Sequence, residues 1–166
     1  MGLKQTIQEN LKNALTQHDE VVLGVLRMLL AAIINKEKEK QFKISKESPN
    51  ATKAEWQEKS QLSDAEIQDV VMSEAKKRRE SIEAFTKGNR PELVDKETKE
   101  LEVLKSYMPE QLSENEIRII VKEAISKTGA ASQKDIGKLM AVLMPQLKGK
   151  SDGTIVSKIV KEYLTL

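Results

Sequence analysis

One stretch of the sequence, residues 21–34, is apolar on almost every side of the helix that it would form. A helix without a polar face is normally surrounded by other helices, so this stretch predicts the centre of a helical bundle. It has 14 residues, whereas a membrane span needs roughly 20, and we expect no membrane helix. Arg27 lies inside the stretch. We expect this charge to be buried and paired with a glutamate of a neighbouring helix rather than to bind a ligand.

Most of the remaining sequence has helical periodicity as well. Leu3, Ile7, Leu11 and Leu15 recur every four residues, which indicates an amphipathic first helix. No stretch alternates between apolar and polar residues, and aromatic residues make up only 3% of the chain. Both observations argue against a sheet, sandwich or barrel. The sequence therefore predicts an all-α protein.

A proline followed by a capping box suggests where the chain divides. Pro109 ends one helix, and Ser113 with Glu116 forms the serine–glutamate pattern that starts the next. We place the domain boundary here. The expected architecture is a helical N-terminal bundle at residues 1–111, followed by a small three-helix C-terminal bundle at residues 112–166.

Two segments of the N-terminal part leave more than one interpretation open. Residues 43–61 contain scattered charges and a Ser-Pro-Asn turn signal, and we expect an irregular or inserted loop. Residues 76–79 are four successive basic residues. Because successive positions point around a helix in steps of about 100°, a solvated, charge-paired face is favoured over a phosphate site.

The composition excludes several kinds of chemistry. The chain has no cysteine and a single histidine, which rules out disulfides, thiolate catalysis and cysteine metal sites. His18 has no second candidate ligand beside it, so we expect no metal and no cofactor, and we find no candidate catalytic residue. The lack of cysteine and of a signal-peptide pattern favours a soluble cytoplasmic protein.

The stretch from Asp135 to Gly153 combines a helix with a lysine-containing loop. Apolar residues at spacings of three and four indicate a buried stripe, and Pro145 is expected to end the helix. The loop that follows contains Lys148 and Lys150, with Ser151 as the expected cap of the last helix. Lysines beside a helix N-terminus favour anion binding, although a merely solvated loop is the alternative.

The charge around this stretch is locally positive. Residues 127–161 contain seven lysines against two aspartates, a bias that attracts polyanions. The Gly-Lys-Ser sequence at residues 149–151 is not a P-loop. That pattern requires a glycine where Met144 stands and a strand where this sequence predicts a helix.

Four motifs in this order resemble the YqeY-like proteins, and the resemblance covers nearly the whole chain. They are Leu26–Ile33, Glu74–Ile82, Tyr107–Ser113 and the stretch from Gly137 to Gly153. The family is similar to the helical tail of GatB, the B subunit of the tRNA-dependent amidotransferase. Related modules are also appended to some glutaminyl-tRNA synthetases.

The resemblance implies a stand-alone tRNA-binding module, associated with tRNA-dependent amidation and without a catalytic site of its own. One alternative is an adaptor that docks on an amidotransferase or an aminoacyl-tRNA synthetase. A third possibility is a component with carbon–nitrogen ligase activity that uses glutamine as the amido donor. The expected tRNA-contacting residues are Lys134, Gly137, Lys138, Lys148, Gly149 and Lys150.

Overall fold

The structure is a computed structural model that describes residues 2–164. These residues form eight α-helices and one short 3-10 turn, and no strand occurs among them, which confirms the all-α prediction. The helices are α1 (Leu3–Gln17), α2 (Glu20–Glu47), α3 (Lys53–Lys59), α4 (Asp64–Lys87), α5 (Pro91–Lys105), α6 (Glu114–Thr128), α7 (Ile136–Leu147) and α8 (Gly153–Leu164). In this described range, no helix is both long enough and apolar enough to cross a membrane.

The chain divides into two compact units between Met108 and Pro109. The first unit contains α1 to α5 and the second contains α6 to α8. The predicted boundary lies three residues later, between residues 111 and 112. Each unit has its own cluster of buried apolar side chains.

The first unit is built around α2 and α4. Its core includes Leu26 and Leu29 of α2 together with Ile67 and Val71 of α4, all of them buried. Tyr107 follows α5 and is also buried, and its hydroxyl accepts a hydrogen bond of 2.8 Å from the side-chain amide of Asn10 in α1.

The segment at residues 43–61 differs from the expected irregular loop. α2 continues to Glu47, and α3 occupies Lys53–Lys59. Thr52 accepts a hydrogen bond from the backbone N–H of Glu55, whose carboxylate accepts one from the N–H of Thr52. This capping box gives α3 a defined start, so most of the segment is helical.

Arg27 also differs from the prediction, because its side chain is exposed rather than buried in an ion pair. The other helices of the first unit cover only one side of α2, where Val25, Leu26, Leu29 and Ile33 are buried. The apolar composition of residues 21–34 therefore does not mean that the helix is surrounded.

The second unit encloses a smaller core between α6, α7 and α8. Ile117 and Val121 of α6, Leu139 and Leu143 of α7, and Ile159 of α8 are all buried. α6 begins at the predicted capping box, in which Ser113 accepts a hydrogen bond from the Glu116 N–H. The helix ends at Gly129, which adopts the left-handed conformation that favours glycine.

Candidate nucleic-acid interface

α7 presents the predicted site on its solvent side. The helix buries Leu139, Leu143 and Leu147 against the core of the second unit, as the sequence periodicity predicts. The opposite side exposes Gly137, Lys138, Ala141, Val142, Met144 and Pro145. This face is therefore made mainly of small and apolar residues.

Pro145 lies within α7, which continues to Leu147, so the expectation that the proline ends the helix is wrong. A proline removes the N–H that would bond to the carbonyl four residues earlier, here that of Ala141. Because Ala141 and Pro145 are both exposed, this carbonyl lies on the solvent side, where water can hydrogen-bond to it. The interruption therefore costs less than it would in a buried helix.

The four candidate lysines are exposed and lie at the two ends of α7. Lys134 belongs to the 3-10 turn before the helix, and Lys138 lies in its first turn. Lys148 and Lys150 follow its last residue. At a helical rise of about 1.5 Å per residue, the backbones of Lys138 and Lys148 are about 15 Å apart. The lysines thus form two pairs, which are too far apart along the chain backbone to contact one phosphate together.

Lys138 also has a structural contact. Its Nζ donates a hydrogen bond of 3.3 Å to the carbonyl oxygen of Thr128, the last residue of α6. A lysine at this position donates to a carbonyl at the C-terminal end of the helix, and its positive charge interacts favourably with the negative end of the helix dipole. Lys138 therefore joins α7 to α6 in addition to any role in binding an anion.

The loop that carries Lys148 and Lys150 is fixed by the segment before α6. Gly149 is buried and has a φ of 81°, in the left-handed region that favours glycine. Its carbonyl accepts a hydrogen bond of 2.7 Å from Gln111 Nε2. The Leu112 N–H donates a hydrogen bond of 2.7 Å to the carbonyl of Lys150.

These contacts give Gly149 a role in the turn, and they fix the backbone of the loop that carries both lysines. Sequence reasoning did not identify Gln111 as part of the site. Membership of the Tyr107–Ser113 motif is the one feature of the sequence that could have pointed to Gln111. Nothing in the spacing indicates that residues 111 and 149 are in contact.

The start of α8 differs from the predicted anion site. The residue before the helix is Asp152, not Ser151, and its carboxylate accepts a hydrogen bond of 2.8 Å from the Thr154 N–H. A carboxylate already complements the positive end of this helix. Ser151 instead donates to the carbonyl of Leu147 at 3.4 Å.

Asp135 is the other acidic residue between positions 127 and 161, and it also caps backbone N–H groups. Its carboxylate accepts hydrogen bonds from the N–H groups of Ala131 and Ser132 and from the Ser132 hydroxyl. These bonds, led by that from Ala131, lower the pKa of Asp135 below its ordinary value. Both aspartates therefore have local capping roles, while the lysines around them are exposed.

Ion pairs in the basic run at residues 76–79 match the charge-paired interpretation, but the run is not wholly solvated, because the Arg78 side chain is only 16% exposed. Lys77 contacts Glu74 at 2.6 Å, and Arg78 contacts Glu97 at 3.1 Å. His18, which caps the end of α1 with a φ of 55°, is exposed. No group of three or more histidine, cysteine, aspartate or glutamate side chains within residues 2–164 is arranged to hold a metal ion.

The family described as Yqey-like protein matches residues 4–164. The chain belongs to this family. The match includes both units, so the YqeY-like assignment applies to α1–α5 as well as to the lysine-bearing α6–α8 unit.

Three fungal relatives are each called "Altered inheritance of mitochondria protein 41, mitochondrial". The protein of Pyrenophora tritici-repentis is 29% identical over 161 residues, which cover 95% of this chain and 78% of the relative. Those of Lachancea thermotolerans and Eremothecium gossypii are 29% and 30% identical over 102 residues, or 61% of this chain and 46% of each relative. In the latter two comparisons, the aligned region spans less than half of the relative.

Proposed function

We propose that this YqeY-like protein binds tRNA through the exposed side of α7 and the loop that follows it. The main supporting observation is the charge of the second unit: all seven lysines between residues 127 and 161 are exposed, and the two aspartates in this range cap local backbone. Exposed lysines that contact phosphates neutralise them and release their counterions.

Gly137 gives independent support for a close contact at this surface. It is exposed near the start of α7, and a Cβ at this position would meet no atom of the described residues within 4 Å. Packing within the protein therefore does not require a glycine here, although alanine is the better helix former. A glycine lets the backbone of a partner, such as an RNA strand, approach the helix closely.

The binding that we propose recognises shape rather than sequence. The α7 face offers small and apolar side chains between its lysine pairs, with few groups that could read base edges. Recognition of a folded RNA through its backbone fits this composition. We assign no catalytic step to the chain and place its action in the cytoplasm, where tRNA and a reducing environment suit a protein without cysteine.

A second candidate function is that of an adaptor for an aminoacyl-tRNA synthetase or an amidotransferase subunit. Its supporting observation is a set of exposed apolar side chains in the second unit. Val142, Met144 and Ile155 are 38%, 41% and 43% exposed. Apolar patches of this kind favour protein partners, and their binding would depend only weakly on salt.

Binding to total tRNA, measured by fluorescence anisotropy at about 50 and 200 mM salt, distinguishes the two functions. The test variant replaces Lys138, Lys148 and Lys150 with glutamate. A control variant replaces three exposed lysines of the first unit, Lys12, Lys43 and Lys96, with glutamate, so that its net charge changes by the same amount.

We expect salt-sensitive binding that the control variant retains and that the test variant loses by about tenfold or more, with a shallower salt dependence. Equal losses in both variants would indicate attraction to net charge without a site. No binding at either salt concentration would exclude the tRNA function and favour the adaptor. The next experiment would then be capture of a purified synthetase or amidotransferase by the wild-type chain.

A further inference from the structure

The solvent side of α2 is unusually apolar. Val21, Met28 and Ile34 are 43%, 45% and 44% exposed, and Phe42 near the end of the same helix is 61% exposed. Single exposed apolar residues are common on protein surfaces, but several along one helix indicate an interaction surface. This surface belongs to the first unit, and it is separate from the proposed tRNA site.

Gly24 lies on this surface, inside a helix of 28 residues. A Cβ at Gly24 would meet no atom of residues 2–164 within 4 Å, so internal packing does not require a glycine. Glycine is nevertheless among the least favourable residues in a helix interior. Ala31 is exposed two turns later. Small residues at both positions would let a second helix approach closely.

Charged residues at the two ends of the surface favour an antiparallel copy of α2 as that second helix. The first residue of α2, Glu20, is exposed, and Lys38 is exposed on the same side after Ile34, whereas Lys36 is paired with Glu39 at 2.9 Å. A parallel copy of α2 would place like charges together. An antiparallel copy brings the acidic end of each helix to the basic end of the other, and a two-fold axis makes the contact twice.

We propose that this face of α2 binds the same face of a second copy of the chain, antiparallel and centred between Arg27 and Met28. In this register Gly24 of each copy lies opposite Ala31 of the other, so small residues meet where the helices are closest. Arg27 lies on the same edge of the contact as Arg27 of the second copy, and each can extend its guanidinium into water while its stem covers apolar surface.

Sedimentation of the full chain at concentrations from about 1 µM to 1 mM tests the proposal. One helix face makes a small interface, so we expect a reversible dimer with a dissociation constant of about 10–100 µM. A monomer throughout this range would overturn the proposal. The tRNA test variant is independent of this result, because Lys138, Lys148 and Lys150 lie in the other unit.

Substitutions on α2 identify the surface. Gly24→Leu places a bulky side chain at the closest approach while improving helix propensity, and we expect at least a tenfold weaker dimer from a folded protein. Ile119→Glu is the matched control, because it removes a 57% exposed apolar side chain of α6, and we expect no change in dimerisation. A dimer that survives Gly24→Leu but not Ile119→Glu would place the interface in the second unit and overturn the proposal.

Charge reversal tests the orientation. Glu20→Lys and Lys38→Glu should each weaken self-association, whereas a mixture of the two variants should form a mixed dimer close to wild-type affinity. In that dimer, both end contacts join opposite charges. Failure of the mixture to associate better than either variant alone would overturn the antiparallel arrangement.

Discussion

Arg78 of α4 and Glu97 of α5 form an ion pair in which Nη1 and Oε2 are 3.1 Å apart. Glu100 Oε2 lies 3.0 Å from the other terminal nitrogen of the guanidinium, and all three side chains are only 13–16% exposed. Nη2 of Arg78 is also 3.4 Å from the sulfur of Met28 in α2. One largely buried cation thus connects three helices of the first unit, and it compensates two carboxylates.

We expect Arg78→Ala to lower the free energy of unfolding by about 2–4 kcal/mol, because the substitution leaves two largely buried carboxylates without their cation. Urea unfolding monitored by circular dichroism gives this value. Arg27→Ala is the matched control, since Arg27 is exposed, and its effect should be within about 0.5 kcal/mol. Equal effects of the two substitutions would contradict a structural role for the Arg78 ion pairs.

Arg27 and Arg78 show what the sequence can and cannot reveal about α2 and α4. Hydrophobic periodicity identifies both as helices, but it does not say which neighbour covers each side. Arg27, in the more apolar surroundings, is exposed, whereas Arg78, in a run of basic residues, is largely buried. The burial of each charge depends on which helices lie beside it, as α5 lies beside Arg78, and that arrangement is a tertiary property.

Capping boxes were easier to predict than contacts between distant residues. Ser113 accepts a hydrogen bond from the N–H of Glu116, as its capping box predicts. Such interactions lie within one turn of chain, so a short pattern specifies them. The contact between Gln111 and Gly149 spans 38 residues, and for this reason the sequence did not predict how the lysine loop is held.

Glu66 should make the stability of the first unit depend on pH. A hydrogen bond from Lys40 and one from the Ser63 N–H are the main causes that lower its pKa from 4.5 to about 2. Because the folded-state pKa is depressed, the stabilisation is present above about pH 4.5 and is lost as the pH falls towards 2.

Glu66→Gln should therefore reduce the free energy of unfolding at pH 6 and have little effect near pH 2. Glutamine can still accept a hydrogen bond from the Ser63 N–H, so the difference in the free energy of unfolding between the two proteins reports mainly on the charge of Glu66. Urea unfolding of both proteins between pH 2 and 6 measures this dependence. Lys40→Met removes the largest cause of the shift and should reproduce much of the effect. A difference that stays constant with pH would show that the carboxylate contributes no charge-dependent stability.

Gly137→Ala should weaken tRNA binding without lowering the stability of the protein. The added methyl group meets no described atom within 4 Å, and alanine is the better helix former, so we expect the stability to be unchanged or up to about 1 kcal/mol higher. If RNA approaches the backbone of α7 at Gly137, the same methyl group should weaken tRNA binding by several fold. Anisotropy titrations and urea unfolding of one preparation give both quantities.

Gly24→Ala is the matched control, because it makes the same substitution at an exposed helical glycine of the other unit, where a Cβ also meets no described atom within 4 Å. It should raise stability in a similar way, when measured at concentrations that keep the protein monomeric, and leave tRNA affinity unchanged. If Gly137→Ala binds tRNA as tightly as the wild type, Gly137 is not a point of close approach. The lysine pairs at the ends of α7 would then have to account for binding without a close approach of RNA to the backbone at the start of the helix.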